Sequence, residues 1–464
     1  MANAGDGCDL AVRGGTIVTA DGEFMADLGI TGERIVQVGG EVRARRELDA
    51  RGLLVLPGGI DAHVHLTLPQ PPGDEPAWCD DLHSGTRAAA AGGITTVGNM
   101  TFPRGAETLR EAIAREDADA ERDAIVDVFC HPVLTDPTTQ PLTDIAALAA
   151  DGHMTLKFFM SFGGFLTQPE AYLEGMRLAA DAGMLTLIHC EDGAMIAHAT
   201  ERLLAEGRGQ IANYPRSRPI ASEVSATARA VAFAELTGAP SYVVHLSSAG
   251  ALAEVRRGRE RGAKLWVETR PLYLHLTEER FAEPDGAKYV GQPPLRTAAD
   301  VEALWRGLAN GEIDTVCTDH APWRLADKVV PGMDVATIRP GVADLDTMLP
   351  MLWSEGVGTG RISRQRFVAV TSTNAAKLFG LFPRKGTIAP GADADLALWD
   401  PTLSKPVHAA DLQTNSDYSP YEGWPVTGWP VATISRGEVV FADGAVTGAR
   451  GRGQVLRRGA TRAL

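Results

Sequence analysis

Cysteine is scarce in this chain and unpatterned: five residues (Cys8, Cys79, Cys130, Cys190 and Cys317), odd in number, with no Cys-x-x-Cys among them. That argues against a disulfide framework and fits a reduced, cytoplasmic compartment. Cys190 and Cys317 lie in apolar runs and are expected to be buried filler. No apolar run approaches the ~18 residues of a membrane helix. An excess of positive charge is also missing. The chain carries 44 basic against 59 acidic residues, a net charge of −15, which speaks against nucleic acid or an anionic membrane as a partner. The segment Met1–Gly7 has neither a basic region nor an apolar one, so a signal peptide is not expected. Finally, no Gly-x-Gly-x-x-Gly follows the first strong apolar run. This weakens the case for a doubly wound nucleotide-binding sheet.

What is present is a soluble-type composition, 44% hydrophobic and 22% charged over 464 residues. That length predicts one large domain with a smaller companion. Eight apolar, β-branched runs recur: Leu53–His65, Ile94–Met100, Ile125–Val133, Thr155–Ser161, Leu185–His189, Tyr242–Leu246, Leu265–Thr269 and Thr315–Thr318. Helical stretches such as Ser222–Leu236 and Ala249–Arg261 lie between them. Thr108–Glu111, Thr167–Glu170 and Thr297–Asp300 have the spacing of capping boxes. Strands alternating with helices mean parallel pairing, and eight such units predict a (β/α)8 TIM-type barrel over 57–385. The ends differ. Residues 1–56 and 386–447 read as short strands and turns, and Arg13–Gly22 echoes Arg436–Gly444. We therefore expect one small β-sandwich built from both termini, followed by a basic, Gly-rich tail (448–464) that is mobile or serves as an oligomer arm.

The chemistry sits at strand ends. In Gly58-Gly59-Ile60-Asp61-Ala62-His63-Val64-His65 the two histidines are two apart on a strand, so both imidazoles face the same way. His189, His245 and Asp319 each end a run of their own. In a barrel these ends converge on one mouth. Any one histidine alone is better read as a satisfied core or surface residue. Four of them with a carboxylate in register read as ligands for zinc or a similar cation. Five ligands leave room for two metals, and two close cations need an anionic bridge. Lys157, at the end of the fourth run, is then an awkward neighbour, because a free ammonium there would be repelled. Asp61 is expected to orient a ligand or the strand end rather than to bind metal itself. His131 and His320 are read as supporting residues, and His83 as a surface one.

Gly58–His65, Leu156–Met160, Ile188–Glu191, Val244–Ser248 and Thr318–Pro322 together resemble the cyclic amidohydrolases: hydantoinases, dihydropyrimidinases, allantoinases and dihydroorotases. The segments Thr373–Gly380, Pro383–Ile388 and Asp417–Trp424 resemble the hydantoinase and dihydropyrimidinase branch most. The resemblance implies that Lys157 is carboxylated by CO2, which turns the ammonium into a bridging carbamate. It further implies that His63, His65 and Asp319 hold one metal (zinc in both sites), that His189 and His245 hold the other, and that a hydroxide between them is the nucleophile. Asp319 would act as general base and then acid. The substrate would be a small cyclic amide, and the assembly a homotetramer.

The likeness has gaps. The branch carries a Tyr five residues after the lysine, where this chain has Phe162. It carries Ser ahead of Pro293-Pro294-Leu295-Arg296, where this chain has Gln292. A third substrate contact, usually Asn, falls near Arg339. These three are the candidate substrate-binding residues, and Arg339 would suit a carboxylated ring. Allantoinase- or dihydroorotase-like activity on a carboxylated or ureido-bearing ring is the alternative. A non-catalytic scaffold, like the collapsin response mediator proteins of the same fold, would show gaps among the six ligand positions, and there are none.

Overall fold

A computed structural model describes residues 7–66 and 76–464. Eight parallel strands form its centre: β1 (Gly59–Val64), β2 (Ile94–Thr101), β3 (Asp127–Pro132), β4 (Thr155–Phe159), β5 (Leu185–His189), β6 (Ser241–Val243), β7 (Leu265–Thr269) and β8 (Thr315–Val316). β1–β3 and β4–β8 pair as two parallel sets. Bridges from Val133 to Lys157 and from Val64 to His320 close them into a barrel. Closure leaves no edge strand, and helices pack on the outer face while side chains fill the inner one, so the strands read as nearly continuous apolar runs. Ile60, Ala62, Met100, Phe129, Leu187, Tyr242 and Val244 fill the interior.

The run Leu53–His65 is two strands rather than one. Leu54–Pro57 pairs antiparallel with Leu396–Trp399, and β1 begins at Gly59. At Gly58 a Cβ would meet Thr95 Oγ1 at 2.2 Å, so only glycine fits where the chain passes from one sheet to the other. The seven-stranded sheet that holds Leu54–Pro57 also takes Thr16–Val18 and Glu23–Met25 from the N-terminal part of the chain. Leu396–Pro406, Pro425–Ser435, Glu438–Ala442 and Ala445–Val446 come from the C-terminal part. A four-stranded sheet from residues 8–49 packs with it over Leu10, Val12, Ile17, Ile30, Val55 and Leu396. One β-sandwich is thus shared by both ends of the chain.

Two expectations need correction. Thr108 and Thr297 do cap their helices with reciprocal boxes, but Thr167 does not. It ends a short preceding helix and its hydroxyl donates back to Gly163 O at 2.9 Å, while the next helix starts at Pro169, which needs no N–H partner there. The basic terminal segment is not loose either. Leu456 donates its N–H to Val128 O (2.8 Å), and Arg458 donates to Cys130 O and Thr155 Oγ1.

Candidate metal centre and active site

The ends of β1, β4, β5 and β8, with the turn after β6, bring His63, His65, Lys157, His189, His245 and Asp319 into one mouth. His65 Nε2 lies 2.8 Å and His63 Nε2 3.2 Å from Asp319 Oδ1. His63 packs 5.4 Å from both His65 and His245, ring centre to ring centre, and His189 Nδ1 faces His245 Nε2 at 2.9 Å. His245 (φ 40°) and Asp319 (φ 51°) occupy left-handed backbone that their side chains disfavour. Such strain persists where the surroundings over-determine it, as at functional sites.

Carboxylates set the imidazoles. Glu268 on β7 accepts from His63 Nδ1 (2.8 Å) and from His245 N (2.9 Å). Glu191 accepts from His189 Nε2 (2.8 Å) and is itself gripped by Arg218 at 2.5 Å. A carboxylate on one ring nitrogen places the proton there and leaves the other nitrogen's lone pair for a cation. Burial pushes His63 and His245 well below the ordinary imidazole value, with Lys157 adding to the effect on both. Neutral imidazoles are the form that binds metal. Burial alone would raise the Asp319 carboxyl, but Arg270, His63 and His65 hold it well below its usual range. Burial also pushes the Lys157 ammonium down to about 8 against the pull of Glu268 and Asp319.

Unsatisfied atoms test whether this set fits metal. His63 Nε2 and Lys157 Nζ are buried without a hydrogen-bond partner, and His65 Nε2 and Asp319 Oδ1, like His189 Nδ1 and His245 Nε2, are turned on each other. Buried polar atoms are nearly always paired with a donor or acceptor of their own, so these atoms in one mouth fit a place for an absent group. Nitrogen donors with one carboxylate fit a zinc-like cation. A second acidic cluster, Asp127, Asp393 and Asp395, is different. Lys385 Nζ sits among its oxygens, 2.5 Å from both Asp127 and Asp395, and Arg436, Arg34 and Arg384 pair with Asp127 and Asp393, so its charge is already matched.

A cavity of about 680 Å³ opens over the ligands. Trp78, Phe102, Phe159, Phe162, Arg104 and Gln292 form its wall. Phe162 stacks on Phe159, centroids 4.3 Å apart. Arg339 is a correction: it does not line the cavity, and its guanidinium donates to Asp327 O at 2.6 Å beside the Trp323 ring. Asp61 accepts from Thr318 Oγ1 (2.5 Å) and His63 N (3.1 Å), tying β1 to β8. His320 bonds Asp80, and His131 bonds Ala62 O and Thr155 Oγ1. His83 is half-buried, with Nδ1 3.3 Å from Asp123 O. Sequence reasoning missed Glu268, Arg270 and Arg218. The available signal was charge where none is expected, as in Glu268-Thr269-Arg270 closing an apolar strand.

Comparison with known proteins gives the family. The Amidohydrolase family model matches residues 54–440. The chain belongs to that family. It is 37% identical to a D-phenylhydantoinase of Escherichia coli over 453 residues, 96% of this chain and 97% of that one. To the D-hydantoinase of Ralstonia pickettii it is 37% identical over 455 residues, covering 97% and 99%. Dihydropyrimidinase from Brevibacillus agri superposes with a TM-score of 0.92 at 35% identity, over 98% of this chain and 99% of that one.

Proposed function

We propose that this amidohydrolase opens the amide bond of a cyclic ureide or imide. The observation that carries this is the convergence of His65, His189, His245 and Asp319 at the floor of an aromatic cavity, with His63 close behind them. The names of the related hydantoinases and dihydropyrimidinases support the ring class. His63, His65 and Asp319 would hold one divalent cation, His189 and His245 a second, and Lys157, as its carbamate, both. Zinc is the cation this donor set favours. When bound, the two cations would supply a water that ionises near neutral pH and would polarise the ring carbonyl.

The chain's own residues do the rest. Asp319 takes the proton of the attacking water and returns it to the leaving ring nitrogen. Glu268 and Glu191 keep His63 and His189 in the tautomers that face the cations. Trp78, Phe102, Phe159 and Phe162 exclude water and pack the ring. Phe162 has no hydroxyl to offer a developing oxyanion, so Gln292, Arg104 and Trp78 are the cavity-wall residues that carry donors for the substrate. With Arg339 bonded to Asp327 O, nothing at that position favours a carboxylated ring over a neutral one. The chemistry belongs to 57–385, flanked by the sandwich of 1–56 and 386–447 and the terminal 448–464. We infer a cytoplasmic homo-oligomer, a tetramer by likeness to the family.

The test is kcat/KM of zinc-loaded protein on hydantoin, dihydrouracil, allantoin, dihydroorotate and cyclic imides. A neutral cyclic ureide or imide should be hydrolysed, and Asp319→Asn should lower kcat by about three orders of magnitude with metal retained. No turnover of any ring would refute the assignment. Preference for dihydroorotate or allantoin would move it to the other branch.

A further inference from the structure

Arg270 stands at the end of β7, has no exposed surface and is absent from the cavity wall. Its Nη1 donates to Asp319 Oδ2 at 2.8 Å, and its Nη2 reaches the Asp319 backbone carbonyl at 3.5 Å. The guanidinium thus holds both the side chain and the main chain of the one carboxylate among the strand-end ligands. It leaves the other oxygen, Oδ1, facing His63 and His65. Asp319 sits in left-handed backbone (φ 51°), and the guanidinium bonds it there at both its side chain and its carbonyl. On its far side Arg270 lies against Gly291, where a Cβ would come within 3.1 Å of Nη1. Gly291 precedes cavity-lining Gln292, and its turn is fixed by Tyr214 Oη on Gly291 O (3.2 Å) and Tyr273 Oη on Pro293 O (2.6 Å).

A fully buried guanidinium is a costly choice where an apolar side chain would fill the space, so stability does not explain it. Geometry does. A carboxylate acting as proton carrier must present one oxygen in one direction, and a planar fork fixes a carboxylate far better than a point charge.

We propose that Arg270 is a positioning residue for turnover, clamping Asp319 so that Oδ1 alone faces the metal centre, and joining that carboxylate to the turn that carries Gln292. This rests on the hydrolase assignment above. Its effect is on orientation, not on holding metal, since the other ligands do not touch Arg270.

The experiment compares wild type with Arg270→Met, Arg270→Lys and Gly291→Ala, each loaded with Co²⁺. Gly291 has no positive φ, so alanine leaves the backbone undisturbed and only crowds the guanidinium. Cobalt equivalents should stay at the wild-type level in all four proteins, while the visible absorption bands shift in Arg270→Met as Asp319 turns. On the ring that wild type hydrolyses, Arg270→Met should lower kcat by about 100-fold with KM within about threefold. Arg270→Lys should recover part of the loss, and Gly291→Ala should fall in the same direction to a smaller extent. Wild-type bands and kcat in Arg270→Met would overturn the proposal. So would loss of cobalt in step with activity, which would make Arg270 a structural support. Should Arg270→Met fail to fold, Gly291→Ala decides: unchanged bands and kcat there refute the clamp. If wild type opens no ring, the hydrolase assignment fails, and the cobalt bands still decide the role of Arg270.

Discussion

At the scale of single residues, the centre is a set of imidazoles whose orientation is decided by carboxylates one bond further out. Glu268 is the clearest case, because one oxygen serves both His63 Nδ1 and His245 N. Glutamine at 268 keeps an acceptor of the same shape, whereas leucine removes it and leaves both donors buried and unpaired. Glu268→Gln should therefore retain most of its metal, and Glu268→Leu should bind it about 10- to 100-fold more weakly. Competition with a chelator measures this. Equal retention in the two variants would deny Glu268 its orienting role. His63 and His65 were legible in the sequence because strand alternation gives a His-x-His pair a direction. Glu268 and Arg270 were not, because a lone charge in an apolar run has no period. Their meaning lies in partners 205 and 49 residues away. Arg339 misled for the same reason: its partner is a backbone carbonyl, which leaves no trace in composition.

At the scale of elements, seven of the eight apolar runs became single barrel strands, because burial on both faces writes a continuous apolar signal. The eighth, Leu53–His65, hides a change of sheet, since both of its strands are buried and only Gly58 marks the passage. Capping boxes separate in the same way. Thr108 Oγ1 accepts from Glu111 N at 3.2 Å while Glu111 returns a bond to Thr108 N. Thr167 only bonds back within its own helix. Thr108→Ala should cost about 1 kcal/mol in urea unfolding, and Thr167→Ala should leave the midpoint unchanged. The reverse order would mean that the second box forms after all. The pattern Thr-x-x-Glu is identical at both sites, and what distinguishes them is Pro169, which starts its helix without a side-chain cap.

At the scale of the whole molecule, barrel and sandwich are joined through a buried cluster of opposite charges. Lys385 Nζ bonds Asp127 at the start of β3 and Asp395 at the foot of the sandwich strand, and Arg436 completes the set from Asp127 Oδ1 at 2.9 Å. Burial would lower this ammonium, but Asp395, Asp127 and Asp393 hold it above its ordinary value. Replacing it leaves carboxylates buried without a match. Lys385→Met should thus destabilise the protein by about 3–5 kcal/mol, read as a lower urea midpoint followed by both barrel and sandwich probes. A loss below about 1 kcal/mol would show that the two parts are held by their apolar contact alone.

The central claim is that six side chains from five of the eight barrel units hold two cations with a modified Lys157 between them. It is tested most directly by elemental analysis of the purified protein together with 13C NMR after exposure to labelled bicarbonate. Two metal equivalents per chain and a carbamate resonance are expected, both lost in Lys157→Ala and partly regained, with activity, on adding a short-chain carboxylic acid. At most one equivalent, with no carbamate signal and with metal retained in Lys157→Ala, would contradict it.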